Sequence, residues 1–238
     1  MKIALIGYGK MGKAIEEIAL ERGHEIVLKV SLDNPDDFTV SNLQNADVAI
    51  EFTGPESAVE NIKKCLEAKI PVVSGSTGWL DNWKEVEEQC KASSATFLYA
   101  SNFSIGVTIF FQLNSFLAKL MAERKEYDVK LEEIHHTQKL DSPSGTAITI
   151  AEQILQQIKT KDSWVNEVSK DTSKLEIVSK RIDPAPGTHK VMYQSKIDDI
   201  EIIHTAHSRK GFATGAVLAA EFIKGKTGIF SMKDVLGI

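Results

Sequence analysis

The stretch KIALIGYGKMGKAIEEIALERG, from Lys2 to Gly23, decides the fold. Ile3 to Ile6 form an apolar run of strand character. Gly7, Gly9 and Gly12 follow, and Ile15, Ile18, Ala19 and Arg22 then share a helical face that stops near Gly23. Strand, glycine turn and helix in that order fit a loop whose backbone N–H groups approach a pyrophosphate at a helix N-terminus. In that reading Gly7 permits the tight turn, Gly9 the close approach of phosphate, and Gly12 the packing of helix on strand, while the helix dipole favours the negative charge. The alternative is a structural turn that only tightens the corner. Tyr8, Lys10 and Met11 belong to the same expected dinucleotide loop.

Working outward, short apolar runs alternate with helical periodicity through the first hundred residues, the pattern of a parallel sheet covered by helices on both faces. Strands are expected at Ile26 to Val30, Val48 to Phe52, Val72-Val73 and Thr96 to Tyr99. Pro55 sits where a first-turn proline is tolerated, ahead of a buried stripe of Ala58, Ile62, Cys65 and Leu66, and another helix surrounds Trp83 and Val86. An acid at the end of the second strand would hold the adenine ribose of NAD. Here Ser31 stands there, with Asp33 two residues on. A serine can bond a hydroxyl or a phosphate, so NADH and NADPH both stay open, with Asp33 leaning towards NADH. Gly75-Ser76-Thr77 and Ala100-Ser101-Asn102-Phe103 lie where strand ends gather and can admit a nicotinamide ribose; ordinary loops are the alternative.

After Asn102 the pattern changes. A long apolar helix from Ile105 to Met121 leads to strands at Val129 to His135, Leu175 to Ile182, His189 to Ser195 and Ile200 to His204, with Lys159 to Lys174 as a polar surface excursion. From Gly211 a helix returns with Leu218, Ala219 and Phe222 on one side, and Phe230 to Ile238 is placed to dock on the first domain. The fold class is α/β: an N-terminal Rossmann-like dinucleotide-binding domain, residues 1–103 and 209–238, plus an α+β domain with a mixed sheet, residues 104–208, for substrate binding and oligomerisation.

Composition narrows the function. The 238 residues are 42% hydrophobic and 26% charged with net charge -5, which gives no general attraction to nucleic acid or anionic membrane. Nowhere do eighteen consecutive apolar residues occur, and no leader pattern precedes Ile3, so a cytoplasmic protein is expected. Cys65 and Cys90 are expected as free thiols inside helices. His204 and His207 lack an acidic or cysteine partner at a ligand spacing, so no metal is expected.

A second cluster carries chemistry: His135-His136, Lys139, and Ser142-Pro143-Ser144-Gly145-Thr146. Strand period puts the two histidines on opposite faces, so they need separate roles. Pro143 is expected to start a helix buried through Ala147, Ala151, Ile154, Leu155 and Ile158, with Ser144, Gly145 and Thr146 in a first turn that suits a carboxylate. An imidazole, a cation and an anion-binding helix end make a coherent site for a protonatable, anionic substrate. A capped helix beside a solvated histidine pair is the alternative.

These residues resemble the dihydrodipicolinate reductase family. The resemblance rests on Gly9-Lys10-Met11-Gly12, His135-His136 with Lys139, and Asp141-Ser142-Pro143-Ser144-Gly145-Thr146-Ala147. It continues through Gly75 to Gly78, Asn102-Phe103-Ser104, His204 to Arg209, Phe212-Ala213 with Gly215, and Met232 with Asp234 to Gly237. It implies NADH- or NADPH-dependent reduction of a small dicarboxylate ring, 4-hydroxy-tetrahydrodipicolinate, on the route to diaminopimelate and lysine. His135 would be general acid/base and Lys139 proton donor, with His136, Lys139, Gly145 and Thr146 at the substrate; Ser144 is a substrate candidate from the helix-start reading. Gly7 to Gly12, Gly75 to Thr77 and Ala100 to Phe103 would line the cofactor, and Arg209 is a further cofactor candidate. It also implies a homotetramer joined through the second domain's sheet. The glycine turn is one residue shorter than in many members, the acidic-basic pair after the second strand is missing, and Thr137 and Gln138 replace a commoner basic pair. Cofactor and substrate on separate domains would be brought together by closure, with hinges near Ser101 to Ser104 and Ser208 to Gly211. The rivals are a homoserine- or aspartate-type dehydrogenase and a non-catalytic NAD(H)-sensing protein.

Overall fold

The apolar alternation of the first hundred residues is realised as five short strands and the helices between them. They are β1 (Lys2–Ile6), α1 (Lys10–Glu21), β2 (Glu25–Val30), α2 (Val40–Leu43), β3 (Val48–Glu51), α3 (Pro55–Glu67), β4 (Val72–Ser74), α4 (Trp83–Ala92) and β5 (Thr96–Tyr99). Pro55 occupies the first turn of α3, and Ala58, Ile62, Cys65 and Leu66 form its buried stripe as the spacing predicts. The one-turn helix α2 and the 3-10 turns at Pro35–Asp37 and Leu80–Asn82 were not foreseen, because three or four residues are too few to show a period.

The computed structural model describes residues 1–208 and 210–238. Met1–Ile105 with Lys210–Ile238 form one unit, and Gly106–Arg209, of which Arg209 lies outside the described residues, form the other. The middle of the chain contributes α5 (Ile105–Met121), β6 (Asp128–His135), α6 (Gly145–Gln157), β7 (Ser163–Val165), β8 (Lys174–Arg181), β9 (Gly187–Gln194) and β10 (Asp199–Ala206). The chain then returns to the first unit through α7 (Lys210–Ile223), β11 (Gly228–Phe230) and α8 (Met232–Leu236).

In the first unit six parallel strands take the order β11-β5-β4-β3-β1-β2. Successive side chains of β1 point to opposite faces. Ala4 and Ile6 join a core with Ala58, Ile62, Leu66 and Val86, and Ile3 and Leu5 join one with Ile15, Ala19, Val217 and Ile223. This is a doubly wound sheet. β2 and β3 lie on either side of β1, so the strand order reverses there and the loops after β1, β2 and β3 open a crevice at their carboxyl ends. The inner side of α7 is Ala213, Ala216, Val217, Ala220 and Ile223; Leu218 and Phe222 are only half-buried. The helix is apolar nearly all round, and small residues win the tight side.

The second unit holds a mixed five-stranded sheet, order β10-β9-β6-β8-β7, antiparallel across β10, β9 and β6 and parallel across β6, β8 and β7. Its core combines Val129, Leu131, Leu175, Ile177, Val191 and Tyr193 of the sheet with Phe110, Ala118, Ala147, Ile150, Ala151 and Ile154 of α5 and α6. Two expectations need correction. Pro143 precedes α6 in a cis peptide with Ser142, and Ser144 is the N-cap, so the helix begins at Gly145. The excursion from Lys159 to Lys174 is more than surface. It supplies β7, and Lys161 is buried because its ammonium donates to the carbonyls of Thr172 and Lys174 at 2.9 and 3.0 Å and lies 2.6 Å from Asp128 Oδ1.

Candidate active site

The glycine turn of the first unit is built by exclusion. Gly7 has φ +95°, and a Cβ there would stand 2.1 Å from the carbonyl oxygen of Phe52; a Cβ on Gly12 would stand 2.4 Å from that of Gly7. No side chain fits at either position, so backbone packs on backbone. Gly9 is the opposite case. It is the N-cap of α1 with no side-chain cap, no acid follows in the first turn, and nothing lies within 4 Å of where its Cβ would be. An uncapped helix end, open above a residue with no side chain, fits a pyrophosphate.

Around it lies a cavity of about 670 Å³ lined by Gly7, Tyr8, Gly9, Ser31, Leu32, Asp33, Phe38, Thr53, Gly54, Ser57 and Asn61, among others. Ser31 Oγ donates to Asn34 Oδ1 at 2.9 Å and accepts from the Asp33 N–H at 3.2 Å, so it is part of the turn that shapes the β2 loop. The Tyr8 hydroxyl donates to Glu16, which also accepts from Lys29 at 3.2 Å. Thr53, Gly54, Ser57 and Asn61 were missed in the sequence, although Thr53-Gly54-Pro55 carried the same strand-turn-helix punctuation as the first loop.

The remaining cofactor candidates separate. Lys10, Met11, Gly12, Gly75, Ser76, Thr77 and Ala100 to Phe103 do not line this cavity. Gly75 is glycine because the Phe52 ring occupies the place of its Cβ. Ser76 is buried: it donates to Glu51 at 2.7 Å and accepts from the Thr53 N–H at 2.8 Å. Phe103 is buried with its ring 5.5 Å from that of Phe52, and Gly215 is needed because a Cβ there would strike the Phe103 carbonyl. The side chains of Ser76 and Phe103 are thus engaged within the protein. Arg209 lies outside the described residues.

In the second unit, strand period turns Glu133 and His135 of β6 to the helix-covered face, both buried. Glu133 has no exposed surface. Its carboxylate accepts from the Ser144 N–H at 3.1 and 3.2 Å, from Ser179 Oγ at 2.8 Å and from Arg181 Nη2 at 3.2 Å. His135 Nδ1 lies 3.3 Å from Glu133 Oε2, too oblique for a hydrogen bond. Burial alone would raise the Glu133 carboxyl, but the neighbouring His135 ring and the Ser144 and Ser179 hydrogen bonds outweigh it and hold it well below the usual carboxylate range. His189 of β9 packs edge-on to His135 at 5.2 Å, and burial, then the His135 charge, pushes its imidazole down to about 4.

His136 is half-buried and opens the turn that returns at Lys139, whose N–H donates to the His136 carbonyl at 3.1 Å. Lys139 Nζ donates to both oxygens of Asp141 at 2.8 and 2.9 Å. Gly145, the first residue of α6, has nothing within 4 Å of where its Cβ would be. Ser144 is engaged within the protein. Its hydroxyl caps α6 by accepting from the Ala147 N–H at 3.2 Å and shares a hydrogen bond with His189 Nε2. Glu133 was also missed; the alternation Val129, Leu131, Glu133, His135 was the available signal.

A parallel doubly wound sheet with an uncapped glycine turn at its switch point, joined in sequence to a unit bearing an imidazole, an amine and a helix start, defines a dinucleotide-dependent oxidoreductase. Residues 1–103 match the family model for the N-terminus of dihydrodipicolinate reductase, and residues 106–236 match that for its C-terminus. The 4-hydroxy-tetrahydrodipicolinate reductase of Christiangramia forsetii is 54% identical over 99% of this chain and 98% of its own length. That of Neisseria meningitidis serogroup B is 33% identical over 94% and 84%. The chain belongs to the dihydrodipicolinate reductase family, whose reductases use NADH or NADPH bound by the N-terminal domain.

Among solved structures, a dipicolinate-bound dihydrodipicolinate reductase from Paenisporosarcina sp. TG-14 shares the fold with a TM-score of 0.81 at 21% identity, covering 97% of both chains. An aspartate dehydrogenase from Thermotoga maritima does so at 0.53 and 16%, covering 95% of this chain and 97% of that one. The aspartate-dehydrogenase rival thus shares an architecture, and the matched family sets it and the non-catalytic reading aside.

Two outcomes follow from this geometry. Gly9→Ala has room for its methyl in the protein but not beside a phosphate, so unfolding free energy should stay within about 0.5 kcal/mol while the NADH dissociation constant rises at least about tenfold; calorimetry on the folded variant reads both. His189 titrates near 6.5 when unfolded and about 4 when folded. Between those values the unfolded chain holds more protons, so stability present above pH 6.5 is lost as pH falls towards 4. His189→Gln should flatten that window, by up to about 1.4 kcal/mol per pH unit in urea unfolding. An unchanged slope would show that another group titrates there.

Proposed function

We propose that this protein reduces 4-hydroxy-tetrahydrodipicolinate, the substrate named for its relatives, to tetrahydrodipicolinate with NADH or NADPH on the route to diaminopimelate and lysine. The observation that carries the reading is the gathering, on one strand end, turn and helix start, of His135, Lys139 and the open Gly145. When bound, the nicotinamide supplies a hydride to the ring system left by loss of water. The chain's own residues do the rest. Lys139 exchanges Asp141 for a substrate carboxylate, and the start of α6 at Gly145 and Thr146 holds the other, with His136 beside them. Hydride adds negative charge to the ring, and His135 and Lys139 are the groups that can return a proton, a contribution of roughly a hundredfold to ten-thousandfold in rate. In the first unit the glycine turn and the cavity after β1, β2 and β3 hold the dinucleotide.

A cytoplasmic location is part of the proposal. No described helix is long and apolar enough to cross a membrane, and Cys65 and Cys90 are buried free thiols, as a reducing compartment keeps them. So is a homotetramer. α5 exposes Ile109, Leu113, Phe116 and Leu120, spaced so that they fall on one stripe. The open face of the second sheet sets Ile134, Met192 and exposed Ile203 among the ion pairs Lys180–Glu132 and Lys190–Glu201. Apolar surface of this kind is commonly covered by another chain. Sedimentation velocity should give four times the chain mass of 26.3 kDa; a monomer at micromolar concentration overturns it.

The activity is tested by coupling the protein to a dihydrodipicolinate synthase that makes fresh substrate from pyruvate and aspartate semialdehyde, and following the absorbance of each reduced cofactor. Lys139→Ala should lose a charge-assisted hydrogen bond and a proton donor together, lowering kcat/KM by at least about a hundredfold with cofactor affinity intact. His135→Gln should lower kcat far more than it raises KM. Near-normal turnover by a folded, cofactor-binding Lys139→Ala protein would return Lys139 to a solvated surface turn.

A further inference from the structure

Glu133 touches both parts of the proposed substrate site and belongs to neither. On β6 it stands two residues before His135, on the same face, with its Oε2 3.3 Å from the histidine Nδ1. On the opposite side the ring lies close to Gly187 of β9: a Cβ there would stand 3.1 Å from His135 Nε2, a tight contact that glycine spares the imidazole. Nδ1 is therefore the nitrogen turned to the carboxylate. The carboxylate in turn is held by Ser179 and Arg181 of β8 and by the N–H of Ser144, the N-cap of α6. One side chain thus sets the imidazole and the helix start that carries Gly145 and Thr146.

Three donor atoms, from Glu133, His135 and His189, lie within 4.8 Å of one another, close enough to meet on a cation. The Arg181 guanidinium, the Ser179 hydroxyl and the Ser144 N–H already fill that carboxylate, which leaves it the work of orienting a neighbour. We infer that Glu133 is a positioning residue of the reductase: its charge holds His135 with the Nδ1 proton towards it, so that Nε2 is the nitrogen that exchanges a proton with substrate, and its hydrogen bond to Ser144 keeps the start of α6 in register with that nitrogen. The inference rests on the reading of His135 as the acid.

The charged and titratable groups around this pair are Arg181 on β8, His189 on β9, His204 on β10, and Lys139 and Asp141 in the turn before α6. α6 brings no acid in its first turn. Arg181 is 3.2 Å from Glu133, and its charge acts against the imidazolium. Glu133 is the carboxylate next to the ring, so its loss removes the main favourable charge.

The test is Glu133→Gln, close in shape and lacking the charge, in the coupled assay from pH 6 to pH 9. Cofactor KM should be unchanged, kcat should fall at least about tenfold, and the alkaline limb of kcat should move to lower pH by about one unit, because protonated His135 is lost earlier when no anion faces it. A uniform fall in kcat with the limb unmoved would mean that Glu133 only holds Arg181 and Ser144 together, and overturns the inference. Should the variant not fold, imidazole nitrogen NMR of the unaltered protein decides, with the His135 signals assigned by their loss in His135→Gln. Neutral His135 is expected to carry its proton on Nδ1, and a proton on Nε2 overturns the inference. If His135→Gln keeps its kcat, the reading of His135 fails. If that variant is inactive and the Glu133→Gln limb does not move, only the Glu133 assignment fails.

Discussion

The second unit is organised around a carboxylate that has no surface. Taking such a group out of water costs several kcal/mol, and a fold tolerates it only when its lone pairs are filled by well-placed donors. For Glu133 those donors come from β8 and from the N-cap of α6, with two imidazoles alongside. The desolvation penalty makes the arrangement close to obligatory, since any displacement of the strand or the helix start would strand a charge. Ser144 is drawn into the same cage through its N–H and hydroxyl, whereas His189 beside it is held neutral by burial and the His135 charge, which outweigh the pull of the Glu133 carboxylate.

The first unit solves a similar problem with uncharged donors. Glu51 at the end of β3 is also fully buried, and it accepts from Ser74 at 2.6 Å, from Ser76 at 2.7 Å and from the Thr53 N–H at 2.9 Å, with the Thr53 hydroxyl beside them. That carboxylate ties the loop after β3 to the loop after β4, and the first of these lines the cavity next to the glycine turn. Glycines do the remaining shaping. Gly7 and Gly12 exist because backbone must touch backbone, whereas Gly9 leaves room for something that is not protein. Residues that look equivalent in the sequence are thus separated by what a methyl group would meet.

This contrast shows what was legible in the sequence. Long-period features could be read: the βα alternation, the stripe of α3 and the span of α5 follow from spacing and composition, whereas the His135 to Thr146 block was marked by its resemblance to a family. Several shorter features could not be read. α2 and β7 are too short to carry a period, the cap at Ser144 competes with a plausible start at Pro143, and the burial of Lys161 depends on carbonyls contributed eleven and thirteen residues later. Side-chain direction was the other gap. Ser76 and Phe103 sit where strand ends gather, but which way their loops turn is settled by Glu51 and by the space Gly215 leaves, and neither is visible in a linear pattern.

The pairing of Lys139 with Asp141 has a consequence for the kind of ligand the proposed site would select. Lys139 is mostly covered while Asp141 is more than half exposed, and a pair of that exposure contributes on the order of 1 kcal/mol or less. A substrate carboxylate arriving at Lys139 replaces one carboxylate by another, so the exchange is close to neutral in energy and gives a simple monocarboxylate little reason to stay. A rigid dicarboxylate differs because its second group reaches a helix start that no acid of α6 occupies. That contact adds to the exchange at Lys139, and affinity would come mainly from it. On the proposed reading, Asp141 acts as a placeholder that keeps the lysine oriented, and discrimination for two carboxylates at fixed separation follows from joining a near-neutral exchange at Lys139 to a second contact at the start of α6.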